Sequence, residues 1–91
     1  MNKNELIDRV TERTGLRKKD VSLVTAAVFG CIADALAQEE KVTIAGFGVM
    51  ELRHRAARKG HLPIGQREVD IPAAKIPVFR PSKQLKEKVN A

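Results

Sequence analysis

The side chains best suited to a chemical role lie between Arg53 and Arg67, a segment with five formal positive charges, two histidines and no acid. Removing a charge from water is costly unless the charge is paired, so this segment must project into solvent. Exposed, clustered guanidinium and ammonium groups are suited to binding phosphates. The segment is therefore a candidate site for a polyanion.

Other chemistries find little support in the side chains. Glu68 and Asp70 are two positions apart, but no histidine or serine follows at a catalytic spacing. His54 and His61 have no cysteine and no carboxylate close in the sequence that would complete a metal shell. We therefore expect no enzyme, no metal and no cofactor.

The residues on either side of the cationic segment predict the secondary structure that holds it. Strand-like apolar residues lead in and out, and Gly60 and Gly65 bracket a turn with Pro63 at its tip. This pattern predicts a two-stranded antiparallel ribbon with a cationic shaft. The incoming strand is expected from Val49 to about Lys59, and the returning strand from Glu68 to about Val78, where Pro72 and Pro77 suit only edges or bulges.

The N-terminal part predicts two helices. The first spans about residues 3–14, with Asn2 or Asn4 as its cap and Gly15 at its end. The second spans about residues 18–38, because its apolar residues recur at spacings of three and four.

The remaining elements are short. A strand at Val42 and Ile44 precedes a turn at 46–48 that is expected to place Phe47 in the core, and Ser82 caps a last helix over about residues 83–90. The predicted fold class is α+β: a helical hairpin, a three-stranded antiparallel sheet with a long β-ribbon arm, and a short C-terminal helix.

Size and composition predict a dimer. The chain has 91 residues, three aromatics and no Trp or Tyr, so its core is thin, and oligomerisation is the usual remedy. Cys31 cannot form an internal disulfide and is expected to be a small buried hydrophobe, which fits a reduced, intracellular setting. No signal peptide is visible and no apolar run approaches the length of a spanning helix, so no membrane partner is expected.

The net charge of +6 is concentrated in the second half of the chain. Residues 1–40 contain six Lys and Arg against seven Asp and Glu, whereas residues 41–91 contain eleven against four. Such an asymmetry is typical of a nucleic-acid binder. A basic membrane-surface helix is disfavoured, because the positive region is interrupted by Pro and Gly and lacks a helical apolar stripe.

The order of motifs resembles a known family along essentially the whole chain. The resemblance rests on Gly46-Phe47-Gly48, the run from Arg53 to Gly60, Pro63, Ile71-Pro72-Ala73, and the segment from Pro77 to Lys86. These residues are similar to the bacterial histone-like DNA-binding proteins, HU and integration host factor, and are closest to HU.

The resemblance implies an intertwined dimer, formed with itself or with a paralogue, whose two arms enter the minor groove of double-stranded DNA, with bent or nicked DNA preferred. It also implies a cytoplasmic protein of the bacterial nucleoid that bends and compacts DNA with little sequence preference. The chain is expected to be one domain, with a helical dimerisation part (1–40), a sheet (41–81) bearing the arm (about 53–76), and a C-terminal helix (82–91).

The family's site residues carry over by position. Pro63 becomes an intercalating wedge, a role in which such proteins insert apolar side chains between base steps. DNA contacts fall on Arg53, Arg55, Arg58, Lys59, His61 and Pro63 of the arm and on Lys3, Lys75, Arg80, Lys83 and Lys86 of the body. The residues expected in the dimer core are Phe29, Phe47, Met50 and Phe79.

The tip departs from the family pattern, which usually has Arg-Asn-Pro followed by Thr-Gly. This chain has His61-Leu62-Pro63 followed by Ile64-Gly65-Gln66. The change adds apolar bulk and removes most of a charge near neutral pH, because an exposed histidine has a pKa of about 6.5. We hypothesise that insertion here depends more on burial and less on hydrogen bonding.

Three alternatives share the fold. Shape and deformability could produce sequence preference of the integration-host-factor kind. RNA could replace DNA, although the arm from 53 to 76 contains no aromatic on which bases would stack. The arms could also bind an acidic protein, in which case the chain would be a scaffold module.

Overall fold

The computed structural model describes residues 1–61 and 68–91, and its elements follow the α+β order expected from the sequence. The chain divides into two compact units, Met1–Ala35 and Leu36–Ala91. The finer division into a dimerisation part, a sheet with its arm and a C-terminal helix stays a prediction.

The first unit is built from helix α1 (Lys3–Thr14) and most of helix α2 (Lys18–Ala37). Asn2 caps α1, since its side-chain oxygen accepts a hydrogen bond of 2.9 Å from the backbone N–H of Glu5. Gly15 ends α1 in the left-handed conformation (φ 72°), which glycine adopts without steric cost. The end of α1 at Gly15 was predicted from the sequence, and of the two candidate caps, Asn2 and Asn4, the structure shows Asn2.

Helix α2 corrects two expectations. No charged residue lies between Asp20 and Asp34, and by length and composition alone this one helix among the described residues could cross a membrane. Cys31, expected to be buried, is exposed in the single chain. The helix thus presents an apolar surface that one chain does not cover.

The second unit contains a three-stranded antiparallel sheet of β1 (Val42–Ile44), β2 (Gly48–Arg55) and β5 (Ala74–Pro81), with β2 in the centre. Gly48 permits a close approach between strands, because a Cβ there would lie 2.5 Å from the carbonyl oxygen of Arg80 and 2.6 Å from the ring of Phe79. Pro77 lies in β5, an edge strand, as the missing amide donor requires.

A second, two-stranded antiparallel sheet forms the outer described part of the arm, beyond the ends of β2 and β5: β3 (Arg58–His61) pairs with β4 (Glu68–Ile71). The prediction of one continuous strand from Val49 to Lys59 is wrong, because β2 ends at Arg55 and β3 begins at Arg58. The two-residue interruption lies opposite Pro72 and Ala73, where proline has no amide hydrogen to donate to a ladder.

The unit ends with helix α3 (Lys83–Val89), which Ser82 caps through a 3.1 Å hydrogen bond accepted from the N–H of Leu85. The backbone N–H of Ser82 in turn donates to the carbonyl oxygen of Phe47 at 2.9 Å. This bond ties the start of α3 to the turn between β1 and β2.

The hydrophobic core of the single chain is very small. Among the described residues only Ile7 and Val21 are buried apolar side chains. Phe47, expected in the core, is 48% exposed, and it packs against Phe79 with ring centroids 5.3 Å apart. Phe29 and Phe79 are likewise 52% and 44% exposed. All three aromatic rings of the chain therefore remain half uncovered.

Candidate nucleic-acid interface

The predicted arm arginines lie on the ribbon and are exposed. Arg53 and Arg55 alternate along β2 and therefore point to the same face, where Ile76 and Ala74 of β5 are their register partners. Arg58 opens β3. In the part of the chain that the structure describes, no carboxylate lies within 4 Å of these three guanidinium groups. They are available to an external anion.

The opposite face of β2 carries a different group of predicted residues. His54 and Lys75 are direct register partners, so their side chains share one face. Met50 and Phe79, predicted for the dimer core, pair on this same face. The two faces of the sheet thus separate Arg53 and Arg55, predicted as arm contacts, from Lys75, predicted as a body contact.

Several predicted cations already have an internal carboxylate partner. Lys75 Nζ lies 3.3 Å from Glu39 Oε1, and the guanidinium Nε of Arg80 lies 2.7 Å from Glu51 Oε1. Two further ammonium groups make longer pairs of 3.9 Å: Lys59 with Glu68, and Lys83 with Glu87. Exposed pairs of this kind contribute at most about 1 kcal/mol to stability, but they hold the cations in place.

His54 corrects the expectation that no carboxylate would be near. Its Nε2 lies 3.5 Å from Glu39 Oε1, which makes one carboxylate oxygen common to His54 and Lys75. Sequence reasoning missed Glu39 because it is distant in the chain from both. The one available signal was that a glutamate stands just after α2, where helices often end with glycine.

Arg55 has a second role in the structure. Its guanidinium donates a 3.0 Å hydrogen bond to the carbonyl oxygen of Pro72. The bond crosses the interruption between the β2–β5 ladder and the β3–β4 ladder. Arg55 therefore fastens the two strands where no ladder hydrogen bond does so.

The remaining predicted residues lie elsewhere. Lys3 is the first residue of α1 in the first unit, while Lys83 and Lys86 are exposed on α3 in the second. The backbone of His61 closes β3 opposite Glu68. The wedge residue Pro63 and its neighbour Leu62 lie outside the described residues. Within residues 1–61 and 68–91, no cluster of three or more His, Cys, Asp or Glu side chains is placed to hold a metal ion.

The fold and the exposed cationic ribbon define a class of protein. A family model described as bacterial DNA-binding protein matches residues 1–90, and the chain belongs to this family. It is 51% identical over 89 residues to the DNA-binding protein HU of Geobacillus stearothermophilus, covering 98% of this chain and 99% of the relative. The HU 2 protein derived from the SPbeta prophage of Bacillus subtilis is 50% identical over 91 residues, covering 100% and 99% of the two chains.

A solved structure agrees with these relatives. An HU protein from Anabaena, crystallised with DNA, superimposes with a TM-score of 0.88 at 40% sequence identity, covering 98% of this chain and 97% of that one. The resemblance to HU inferred from the motifs is confirmed.

Proposed function

We propose that this protein is an architectural DNA-binding protein that bends and compacts duplex DNA with little sequence preference. The observation that carries the proposal is the antiparallel ribbon on which Arg53, Arg55 and Arg58 stand exposed, with no carboxylate of the described chain within 4 Å. Membership of the bacterial DNA-binding protein family and likeness to an HU protein crystallised with DNA support it.

The minor groove is the part of duplex DNA that suits this ribbon. The groove is about 6 Å wide, too narrow for a helix, but it admits extended arginine side chains, which its negative potential attracts. Base edges in the minor groove offer a largely degenerate pattern of donors and acceptors. Binding there should therefore discriminate poorly among sequences, while favouring duplexes that bend easily.

The functional unit is a dimer in this proposal. A single chain leaves Phe29, Phe47 and Phe79 half exposed and buries only Ile7 and Val21 among the described apolar residues. Helix α2 adds Leu23, Val24 and Val28 to the uncovered surface. A second copy would supply the missing core, and it would supply a second ribbon for the other side of the duplex.

Pro63 would act as the wedge at the ribbon tip. Its position in the chain between the strands β3 and β4 supports this role, together with the family resemblance. Inserting an apolar ring costs a few kcal/mol of base unstacking, which the additional contacts made by the bent duplex offset. The contacts on the body would come from Lys3, Lys75, Arg80, Lys83 and Lys86.

The role is one of binding and not of catalysis. Its place in the cell follows from its ligand: we place the protein with chromosomal DNA, in the cytoplasmic nucleoid of a bacterium. A paralogue could replace one of the two copies in the dimer, since the contacts described above require only a similar apolar surface.

A gel-shift titration at several salt concentrations tests the proposal with intact, nicked and randomised duplexes. If about five phosphates are neutralised per dimer, log K should fall against log salt with a slope of roughly −4 to −5. Nicked DNA should bind more tightly than intact DNA, and randomising the sequence should change little. A flat salt dependence, or tighter binding to single-stranded RNA, would overturn the proposal.

A matched pair of triple variants locates the binding surface. Arg53→Gln, Arg55→Gln and Arg58→Gln together should abolish most of the affinity. Arg9→Gln, Arg13→Gln and Arg17→Gln remove the same charge from exposed positions in the first unit and should preserve most of it. Equal losses in both triple variants would mean that net charge and not the ribbon governs binding.

A further inference from the structure

The carboxylate of Glu39 contacts Lys75 and His54 on one face of β2 and β5. Its Oε1 lies 3.3 Å from Lys75 Nζ and 3.5 Å from His54 Nε2. Lys75 on β5 and His54 on β2 are register partners, so a single carboxylate oxygen contacts both members of a cross-strand pair. The side chains remain substantially accessible, at 49% for Glu39 and 56% for Lys75. The carboxylate therefore contacts an ammonium group of the kind that binds phosphate.

The backbone of Glu39 makes its identity unexpected. With φ at 60°, it is the only non-glycine residue of the described ranges in the left-handed region. Its N–H donates to the carbonyl oxygen of Leu36 at 3.0 Å, in the turn that follows α2. Side chains with a Cβ are disfavoured in this conformation, and glycine is the usual occupant. The glutamate therefore has a strained backbone conformation, and its carboxylate contacts two side chains of the ribbon.

We propose that Glu39 is an internal competitor of DNA phosphate, which lowers affinity by holding Lys75 and His54 until the duplex displaces it. This inference rests on the proposed function. A phosphate can bind Lys75 only if the Lys75–Glu39 pair breaks, and the released carboxylate then takes up a solvent cation. The arginines Arg53, Arg55 and Arg58 face no such competitor among the described residues.

The competition between Glu39 and phosphate should change the slope of log K against log salt. Each cation that binds a phosphate without a competitor contributes close to one released counterion to the slope. A cation that must first leave a carboxylate contributes less, because the carboxylate recaptures an ion. Removing Glu39 should therefore tighten binding and steepen its dependence on salt.

Glu40 provides a matched control. It is an exposed acid one residue further along, and within the described part of the chain it has no cation within 4 Å. Glu39→Gln and Glu40→Gln remove the same charge from nearly the same place, but only the first removes the contact. The comparison therefore separates direct competition from the general effect of a more positive protein.

The experiment measures duplex affinity of the full-length wild type and both variants across a range of salt concentrations. Glu39→Gln should bind about two- to fivefold more tightly than Glu40→Gln, the range expected for one exposed ion pair. Its slope should be steeper than that of Glu40→Gln by up to about one per subunit. Equal affinities and slopes for the two variants would overturn the inference.

A second pair of variants tests whether Glu39 acts through Lys75. In a Lys75→Gln background, Glu39→Gln should give less than half of its gain in affinity over Glu40→Gln. An undiminished gain would show that Glu39 does not compete at Lys75. If the wild type itself failed to bind duplex DNA, the proposed function would fail, whereas equivalence of the two variants with a binding wild type would remove only the role of Glu39.

Discussion

The guanidinium of Arg55 and the carbonyl oxygen of Pro72 are joined by a 3.0 Å hydrogen bond across the interruption of the ribbon. On either side of this point the two strands are held by backbone ladders, from Gly48↔Pro81 to Arg55↔Ala74 and from Arg58↔Ile71 to His61↔Glu68. One arginine thus combines a candidate DNA contact with a structural fastening of the arm.

Arg55→Lys should separate these two roles, because it preserves the charge and removes the planar donor that reaches Pro72. We expect faster amide hydrogen exchange in β3 and β4 and a moderate loss of DNA affinity, with a change in global stability no larger than about 1 kcal/mol for one exposed hydrogen bond. Arg53→Lys is the control, since Arg53 makes no side-chain hydrogen bond within the described residues. Equal exchange rates in the two variants would contradict the fastening role.

Gly48→Ala should destabilise the sheet. The added methyl group would lie 2.5 Å from the carbonyl oxygen of Arg80 and 2.6 Å from the ring of Phe79, so β2 and β5 would have to separate. Overpacking of this kind costs about 1–3 kcal/mol. Urea unfolding followed by circular dichroism measures the loss, and an unchanged midpoint would contradict the need for close approach at Gly48.

Stability should depend on protein concentration. If a second chain covers the exposed apolar side chains, which include Phe29 and Phe79, unfolding is coupled to dissociation, and the melting temperature must rise with concentration. Thermal scans over a hundredfold range of concentration test this, together with sedimentation equilibrium. A folded species with the mass of one chain and a constant melting temperature would exclude the dimer.

Leu62→Asn should weaken binding to bent or nicked DNA. Leu62 lies outside the described residues, and the prediction rests on its position next to the proposed wedge Pro63, where an apolar side chain would be buried against unstacked bases. Glu12→Gln on α1 is a control far from the arm in the sequence. Unchanged affinity of Leu62→Asn for nicked duplexes would rule out a burial-driven tip.

Glu39→Gly should raise the free energy of unfolding by up to about 1 kcal/mol. It relieves the left-handed backbone of a residue with a Cβ, which costs roughly 1–2 kcal/mol, while losing exposed ion pairs that contribute less. Glycine also gains freedom in the unfolded chain, which reduces the benefit. Chemical denaturation of Glu39→Gly beside Glu39→Gln separates the backbone effect from the charge effect; a less stable Glu39→Gly would mean that the ion pairs outweigh the strain.

The sequence by itself determined the helices and the cationic character of the ribbon. Capping by Ser82 and the end of α1 at Gly15 follow from interactions within a few residues, which a local pattern contains, whereas the choice of Asn2 over Asn4 as the cap of α1 needed the structure. The cationic character of the arm also needed no structure, because a run of unpaired charges cannot be buried.

The tertiary structure alone decided the interruption at Ala56 and Ala57, the opposite faces of Arg53 and Lys75, and the contact of Glu39 with His54 and Lys75. Each depends on which residues of distant segments become neighbours when strands pair. Register changes by one residue reverse the face of every side chain, so no local pattern could assign these relationships.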